Sequence, residues 1–281
     1  MPPSTASRRS PVFRLLLIVL PAAAAVYAAV LLLAWRFQER VVYQPPAAPL
    51  GPEPRVRRVS YAADDGTALF AYVLGDPGAA PRTVLAFHGN ADLARWELPW
   101  AEELARRTGA AVLLAEYRGY GGLGGAPTYD GVRLDAAAAR EAAIRLGAHQ
   151  RALVYYGHSL GSAVASELAA GNPPARLVLE SPFTSARDMA ARMGVPGLAW
   201  VYPAIARVRY ATLDRVRALD VPVWVAHGDR DLIVPVRMGR AVYGMARDRG
   251  ELLVVAGGGH NDLADVARED YWSWLVRAVG P

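Results

Sequence analysis

The apolar run Ala152-Leu153-Val154-Tyr155-Tyr156 leads straight into Gly157-His158-Ser159-Leu160-Gly161, and an alanine-rich helical stretch, Leu160–Ala170, follows at once. Few arrangements accommodate this text. A strand must reverse into a helix within a handful of residues, in a turn so tight that only small residues fit beside its apex. The apex residue, Ser159, is thereby lifted off the sheet with its hydroxyl exposed. The next helix points its free amides and positive dipole end at it. A bare G-x-S-x-G is common by chance, but one set between a strand and a helix reads as a nucleophile elbow.

The text on either side carries the same rhythm. Val56–Tyr61 and Ala68–Leu74 flank Asp65-Gly66, a hairpin signal. Strands are then expected at Thr83–Phe87, Ala111–Ala115, Ala152–Tyr156, Arg176–Leu179, Pro222–Ala226 and Glu251–Val255. Helices are expected near Ala91–Arg107, Asp130–Leu146, Leu160–Ala170, Arg237–Arg247 and Leu263–Val279. This is an α/β chain with a mostly parallel central sheet and helices on both faces, whose chemistry lies at the carboxyl ends of the strands. The segment 183–219 is longer than an ordinary connection. It is rich in apolar residues such as Met189, Met193, Leu198 and Trp200. It reads either as a lid offering apolar surface to an acyl chain or as a covering helix with an irregular link.

Ahead of this body, Leu15–Trp35 runs without a charged residue. As a helix it would rise about 31 Å, close to the ~30 Å hydrocarbon core of a bilayer. Arg8, Arg9 and Arg14 precede it, while Arg36, Glu39 and Arg40 follow. The arginine excess on the N-terminal side places the N-terminus in and the body outside the cytoplasm. The rival is a cleaved signal peptide, with Leu15–Leu20 as a short apolar region and Ala22-Ala23-Ala24 as the cleavage site. Cleavage there would leave a bare apolar tail on a soluble protein, so a retained single-pass anchor is expected. The organisation is then a basic segment (1–14), a transmembrane anchor (15–35), a Pro-rich spacer (36–54) and one catalytic domain (55–281), with 183–219 its possible lid.

Composition excludes several classes of chemistry. The basic residues are all arginine, net charge is +5, and they are scattered without a basic block, so no nucleic-acid partner is expected. With no cysteine, a thiol nucleophile, disulfides and thiolate metal sites are excluded. No H-E-x-x-H spacing occurs, so neither a metal nor another cofactor is expected. Nothing in the text specifies an oligomeric state.

A serine hydroxyl needs a base. Of the five histidines, His158 adjoins Ser159 and its ring diverges from the hydroxyl. His149 sits in a polar connection, and His88 and His227 each end a strand before a glycine, as loop-shaping residues do. His260 follows the last strand in Gly257-Gly258-Gly259-His260-Asn261-Asp262, where glycines free the loop to bring the imidazole over Ser159. An acid that follows the serine and precedes the histidine leaves Asp229, Asp231 and Glu180 open. The oxyanion needs backbone donors. The Leu160 amide supplies one and the His88-Gly89-Asn90-Ala91 loop a second, at Asn90, whose alternative role is to cap a helix from Ala91.

Taken together, His88-Gly89-Asn90-Ala91, Tyr117-Arg118-Gly119-Tyr120-Gly121, Gly157–Gly161, Glu180-Ser181-Pro182-Phe183 and Gly257–Asp262 make the chain from Arg55 to Val279 resemble the α/β-hydrolase superfamily. Within it the chain is similar to a membrane-anchored, esterase-like group. The resemblance implies Asp231 as the acid beside His260. It also implies hydrolysis of carboxylic esters or thioesters of a small-molecule or acylated substrate through an acyl-enzyme. The same triad serves acyl transfer to an acceptor other than water. A non-catalytic binding protein on this fold would be signalled by a missing triad residue, and none is missing. Glu116 stands where the group has Asp, and Tyr129-Asp130-Gly131 replaces its acidic pattern. Both departures are expected to be structural.

Overall fold

The computed structural model describes residues 11–47 and 49–280. Arg8 and Arg9, on which the orientation argument leans, lie outside the described residues. A long helix, α1 (Pro11–Val42), is followed by β1 (Arg57–Ala62), β2 (Ala68–Leu74), β3 (Thr83–Phe87), α2 (Leu98–Thr108), β4 (Ala111–Ala115), α3 (Tyr129–Arg145), β5 (Leu153–His158) and α4 (Leu160–Gly171). Next come β6 (Arg176–Glu180), α5 (Ala186–Ala191), α6 (Leu198–Ile205), α7 (Thr212–Ala218), β7 (Val223–Gly228), α8 (Val236–Met245), β8 (Arg249–Val255), α9 (Leu263–Ala267) and α10 (Glu269–Val279).

The strands form one sheet in the order β1-β2-β4-β3-β5-β6-β7-β8. β1 and β2 form an antiparallel hairpin that joins antiparallel to β4, and every other pairing is parallel. β3 and β4 are buried along their whole length, which is why they read as unbroken apolar runs rather than alternating ones. Successive side chains leave opposite faces. Leu85, Phe87, Leu113 and Tyr155 enter one core with α3, α4, α7 and α8, while Val84, Ala86, Leu114 and Val154 enter a second with α2 and α10.

Three expectations needed adjustment. Ala91–Arg107 is not one helix: the chain turns through Glu97, and α2 starts at Leu98 with Pro99 in its first turn, where a missing N–H is harmless. Leu263–Val279 breaks into α9 and α10 at Arg268, whose φ is +47°. The helix at the N-terminus does not stop at Trp35 but continues to Val42, because no helix breaker occurs between Trp35 and Pro45. Of the expected spacer, 36–54, the described residues after Val42 lie outside helix and strand.

That extra length docks α1 on the body. Gln38 is buried. Its side-chain oxygen accepts from the amides of Arg207 (2.6 Å) and Val208 (2.8 Å), and its Nε2 donates to the Ile205 carbonyl at 3.1 Å. The hydroxyls of Tyr43 and Tyr210 meet at 2.8 Å. Among the described residues, Leu15–Val42 is the one helix long and apolar enough to cross a membrane, with a mean hydropathy of 2.7.

Candidate active site

The elbow between β5 and α4 sets Ser159 at φ 53° and ψ −113°. A non-glycine residue there is strained, by about 1–3 kcal/mol. The surroundings hold it in place: the Ser159 amide donates to the Glu180 carbonyl at 2.9 Å, and the Ser162 amide to the Ser159 carbonyl at 3.0 Å. The loop after β8 brings His260 over the serine, with Nε2 2.8 Å from Ser159 Oγ and Nδ1 2.6 Å from Asp231 Oδ2. His158 turns away, as its position required, and its Nε2 donates to the His260 carbonyl at 3.0 Å. It thus steadies the loop that carries His260.

Of the three acids the text left open, Asp231 alone reaches His260. Asp229 accepts from the Gly257 amide at 2.7 Å. Glu180 accepts from the hydroxyls of Tyr156 (2.8 Å) and Tyr271 (2.7 Å) inside the sheet. Asp231 is held from every side. Its Oδ1 accepts the amides of Ile233 and Val234, both at 2.8 Å, and its Oδ2 also lies 3.3 Å from His227 Nε2. Burial would raise its carboxyl pKa. The hydrogen bonds of His227 and His260, the His260 charge and the Val234 amide outweigh burial, and hold it well below the usual carboxylate range.

Asn90 follows β3 and faces the elbow. Its side-chain oxygen accepts from the Gln44 amide at 2.8 Å and the Tyr120 hydroxyl at 3.0 Å. It caps no helix, since α2 begins eight residues later. Leu160 is the first residue of α4, so its amide has no acceptor within the helix. Ser159, Leu160 and Asn90 share one cavity of about 360 Å³. Its wall is almost wholly apolar: Met189, Met193 and Leu198 from the 183–219 segment, and Ala34, Val41 and Val42 from α1. Val41 and Val42 fall in the stretch expected as spacer, and Ala34 in the stretch expected as anchor, so neither expectation assigned them to the site. The available signal was a stripe at helical spacing, Leu31, Ala34, Gln38 and Val42, which is less exposed than its neighbours. His227 shapes its loop through the Val234 carbonyl, as expected, and its contact with Asp231 adds a second grip on that carboxylate.

Behind the Asn90 loop lies a buried ion pair. His88 Nδ1 is 2.8 Å from the Gly89 carbonyl and Nε2 is 2.8 Å from Glu116 Oε1. Both partners accept, so both ring nitrogens carry hydrogens and the ring is cationic. Burial opposes that charge, but the Glu116 carboxylate and its hydrogen bond, with Asp92 and the Gly89 carbonyl, raise the His88 pKa. Glu116, the departure at this position, is therefore structural. Glu116→Gln removes the counter-charge, so the buried ring gives up its proton and accepts from the new amide; the loss is expected to cost about 1–3 kcal/mol of stability. Because the folded-state pKa of His88 is raised, its contribution is complete below about 6.5 and is lost as pH rises through the folded value. Denaturant midpoints against pH should fall on the alkaline side in the wild type, and that dependence should be blunted in Glu116→Gln.

Comparisons with known proteins bear on this site. The family described as "Serine aminopeptidase, S33" matches residues 78–212. The uncharacterized protein Rv2307c of Mycobacterium tuberculosis is 35% identical over 249 residues, covering 85% of this chain and 86% of that protein. Alpha/beta hydrolase domain-containing protein 17B of Homo sapiens is 31% identical over 200 residues, covering 70% of this chain and 65% of that protein. Among solved structures, the Pyrococcus furiosus esterase Pf2001 superposes with a TM-score of 0.66 at 20% identity, covering 85% of this chain and 99% of that one. At that identity the likeness speaks for the fold alone.

Proposed function

The chain belongs to the α/β-hydrolase superfamily, in its serine aminopeptidase S33-like family, and from that premise we propose that it hydrolyses carboxylic ester or thioester bonds of acylated substrates. The observation that carries this reading is the unbroken series Ser159 Oγ, His260 Nε2, His260 Nδ1, Asp231 Oδ2, at 2.8 and 2.6 Å, opening on an apolar cavity. His260 Nε2 takes the proton as Ser159 Oγ attacks the acyl carbon. Asp231 keeps the other ring proton on Nδ1 and stabilises the imidazolium. The amides of Leu160 and Asn90 receive the oxyanion. The proton on His260 passes to the leaving alcohol or thiol, giving an acyl-enzyme. Water, deprotonated by His260, then releases the acid. The hydrophobic wall suits the hydrocarbon of an acyl group rather than a peptide. Residues 55–281 carry the chemistry. The N-terminal helix anchors the chain as a single-pass protein with this domain outside the cytoplasm.

One experiment tests nucleophile and topology together. In cells expressing the full chain, a membrane-impermeant fluorophosphonate and a permeant one should both label Ser159, and Ser159→Ala should abolish both signals. Labelling by the permeant probe alone reverses the topology. Labelling that survives Ser159→Ala removes Ser159 as nucleophile.

A further inference from the structure

Met193–Ala206 contains no charged residue, although Arg192 and Arg207 bracket it. It forms the tip between α5 and α6, then α6 itself. Trp200 is 86% exposed and Met193 57%, a poor surface to leave in water. The position of this tip along α1 is informative. Tyr27 donates from its hydroxyl to the Pro196 carbonyl at 2.6 Å, and Arg36 is the first charged residue to follow Tyr27. Their separation is about 13 Å along a helix axis. The tip therefore hangs well to the lipid side of the point where α1 regains charge. In hydrocarbon, a tyrosine hydroxyl and a proline carbonyl each need a protein partner. These two satisfy one another.

The same two segments form the wall of the cavity at Ser159. Ala34 and Val42 of α1 line it together with Met193, Leu198 and Ile205 of the tip and α6. We propose that Met193–Ala206 is sunk in the bilayer beside α1, in the leaflet from which α1 emerges, and that the cavity takes its acyl chain directly from lipid. The substrate class is then a long-chain acyl ester or thioester resident in the membrane. α1 is part of its binding site as well as a tether. A chain entering between α1 and α6 meets mainly apolar groups, Gln38 being the polar residue that α1 contributes to the wall, while its ester end reaches Ser159 and the rest of the substrate remains in water. The hydrolytic part of this inference rests on the function proposed above, whereas the membrane seat does not.

The absence of cysteine makes the test clean. Trp200→Cys and, as a comparison, Asp220→Cys, whose side chain is 78% exposed on a solvent loop, are each labelled with a nitrobenzoxadiazole dye. The full chain is then reconstituted in phosphatidylcholine vesicles containing doxyl-labelled lipid. Dye at position 200 should be quenched severalfold more than dye at 220. In parallel, palmitic acid carrying a diazirine at its ω end is photolysed in the same vesicles, and its crosslinks should map to 34–42 and 193–205. Equal quenching at the two positions, or crosslinks confined to other segments, overturns the proposal. So does dye-to-dye contact between two copies without lipid quenching, since a second copy would then cover the face. Neither readout needs turnover. Both should persist in Ser159→Ala, so a failure of the hydrolase reading would leave them unchanged.

Discussion

Asp231→Asn is expected to lower kcat by about 10⁴-fold with the fold retained. The neighbours of the carboxylate dictate the outcome. Two backbone amides, of Ile233 and Val234, bind its Oδ1 at 2.8 Å. In the variant they claim the amide oxygen, since an NH₂ cannot accept them. The new NH₂ must then take the place of Oδ2, facing His260 Nδ1 at 2.6 Å. It donates to that nitrogen and drives the ring proton to Nε2, the atom that should receive the Ser159 proton. The base is thus locked in the wrong tautomer with hardly an atom displaced. His227 Nε2, which also donates to the Val234 carbonyl at 2.8 Å, loses its contact with Oδ2 but stays satisfied, so the fold survives. Glu180→Gln keeps an acceptor for Tyr156 and Tyr271, and Asp229→Asn keeps one for the Gly257 amide. Both should change kcat far less. Turnover of p-nitrophenyl esters, normalised to active sites, checks the ranking. A larger loss in Glu180→Gln than in Asp231→Asn would move the acid to the end of β6.

The sequence made the sheet legible because its central strands are buried on both faces, so their text is almost wholly apolar. The expected Thr83–Phe87 and Ala111–Ala115 coincide with β3 and β4. Elements governed by single backbone angles were not legible. Nothing in Ala91–Arg107 announces that Ala91 takes φ +54°, or in Leu263–Val279 that Arg268 takes φ +47°. Ser159 and His260 could be chosen by position alone, since the elbow and the last strand each leave one candidate. The acid could not. Asp229 and Asp231 leave the same strand end two residues apart, and only the amides of Ile233 and Val234 decide which carboxylate turns inward. The part of the site built by α1 was hidden for a different reason. Hydrophobic length marks a span, but the same apolar residues, Ala34 and Val42, also serve as cavity wall, and composition does not separate a lipid-facing stripe from a protein-facing one.

Gly161→Ala is expected to prevent folding altogether. A Cβ at Gly161 would lie 2.0 Å from the Phe87 carbonyl oxygen and 2.7 Å from that of His88. Neither can rotate away, because both are main chain at the end of β3. That strand is hydrogen-bonded to β4 and β5 on its two sides, so it cannot retreat without opening the centre of the sheet. Gly157→Ala meets the same obstacle within the elbow, 2.1 Å from the Gly161 carbonyl oxygen. Relief by backbone movement in a packed interior places such changes beyond the usual range, at more than about 4–5 kcal/mol, a large fraction of the ~5–15 kcal/mol that stabilises a typical domain. Gly171, in the last turn of α4, has nothing within 4 Å of its Cβ direction. Gly171→Ala should therefore be neutral or gain up to about 1 kcal/mol. Expression of folded protein and thermal midpoints in detergent compare the three. A Gly161→Ala protein that melts with the wild type would mean that α4 does not sit against the end of β3. The oxyanion site proposed at the Leu160 and Asn90 amides would then lose the packing it depends on.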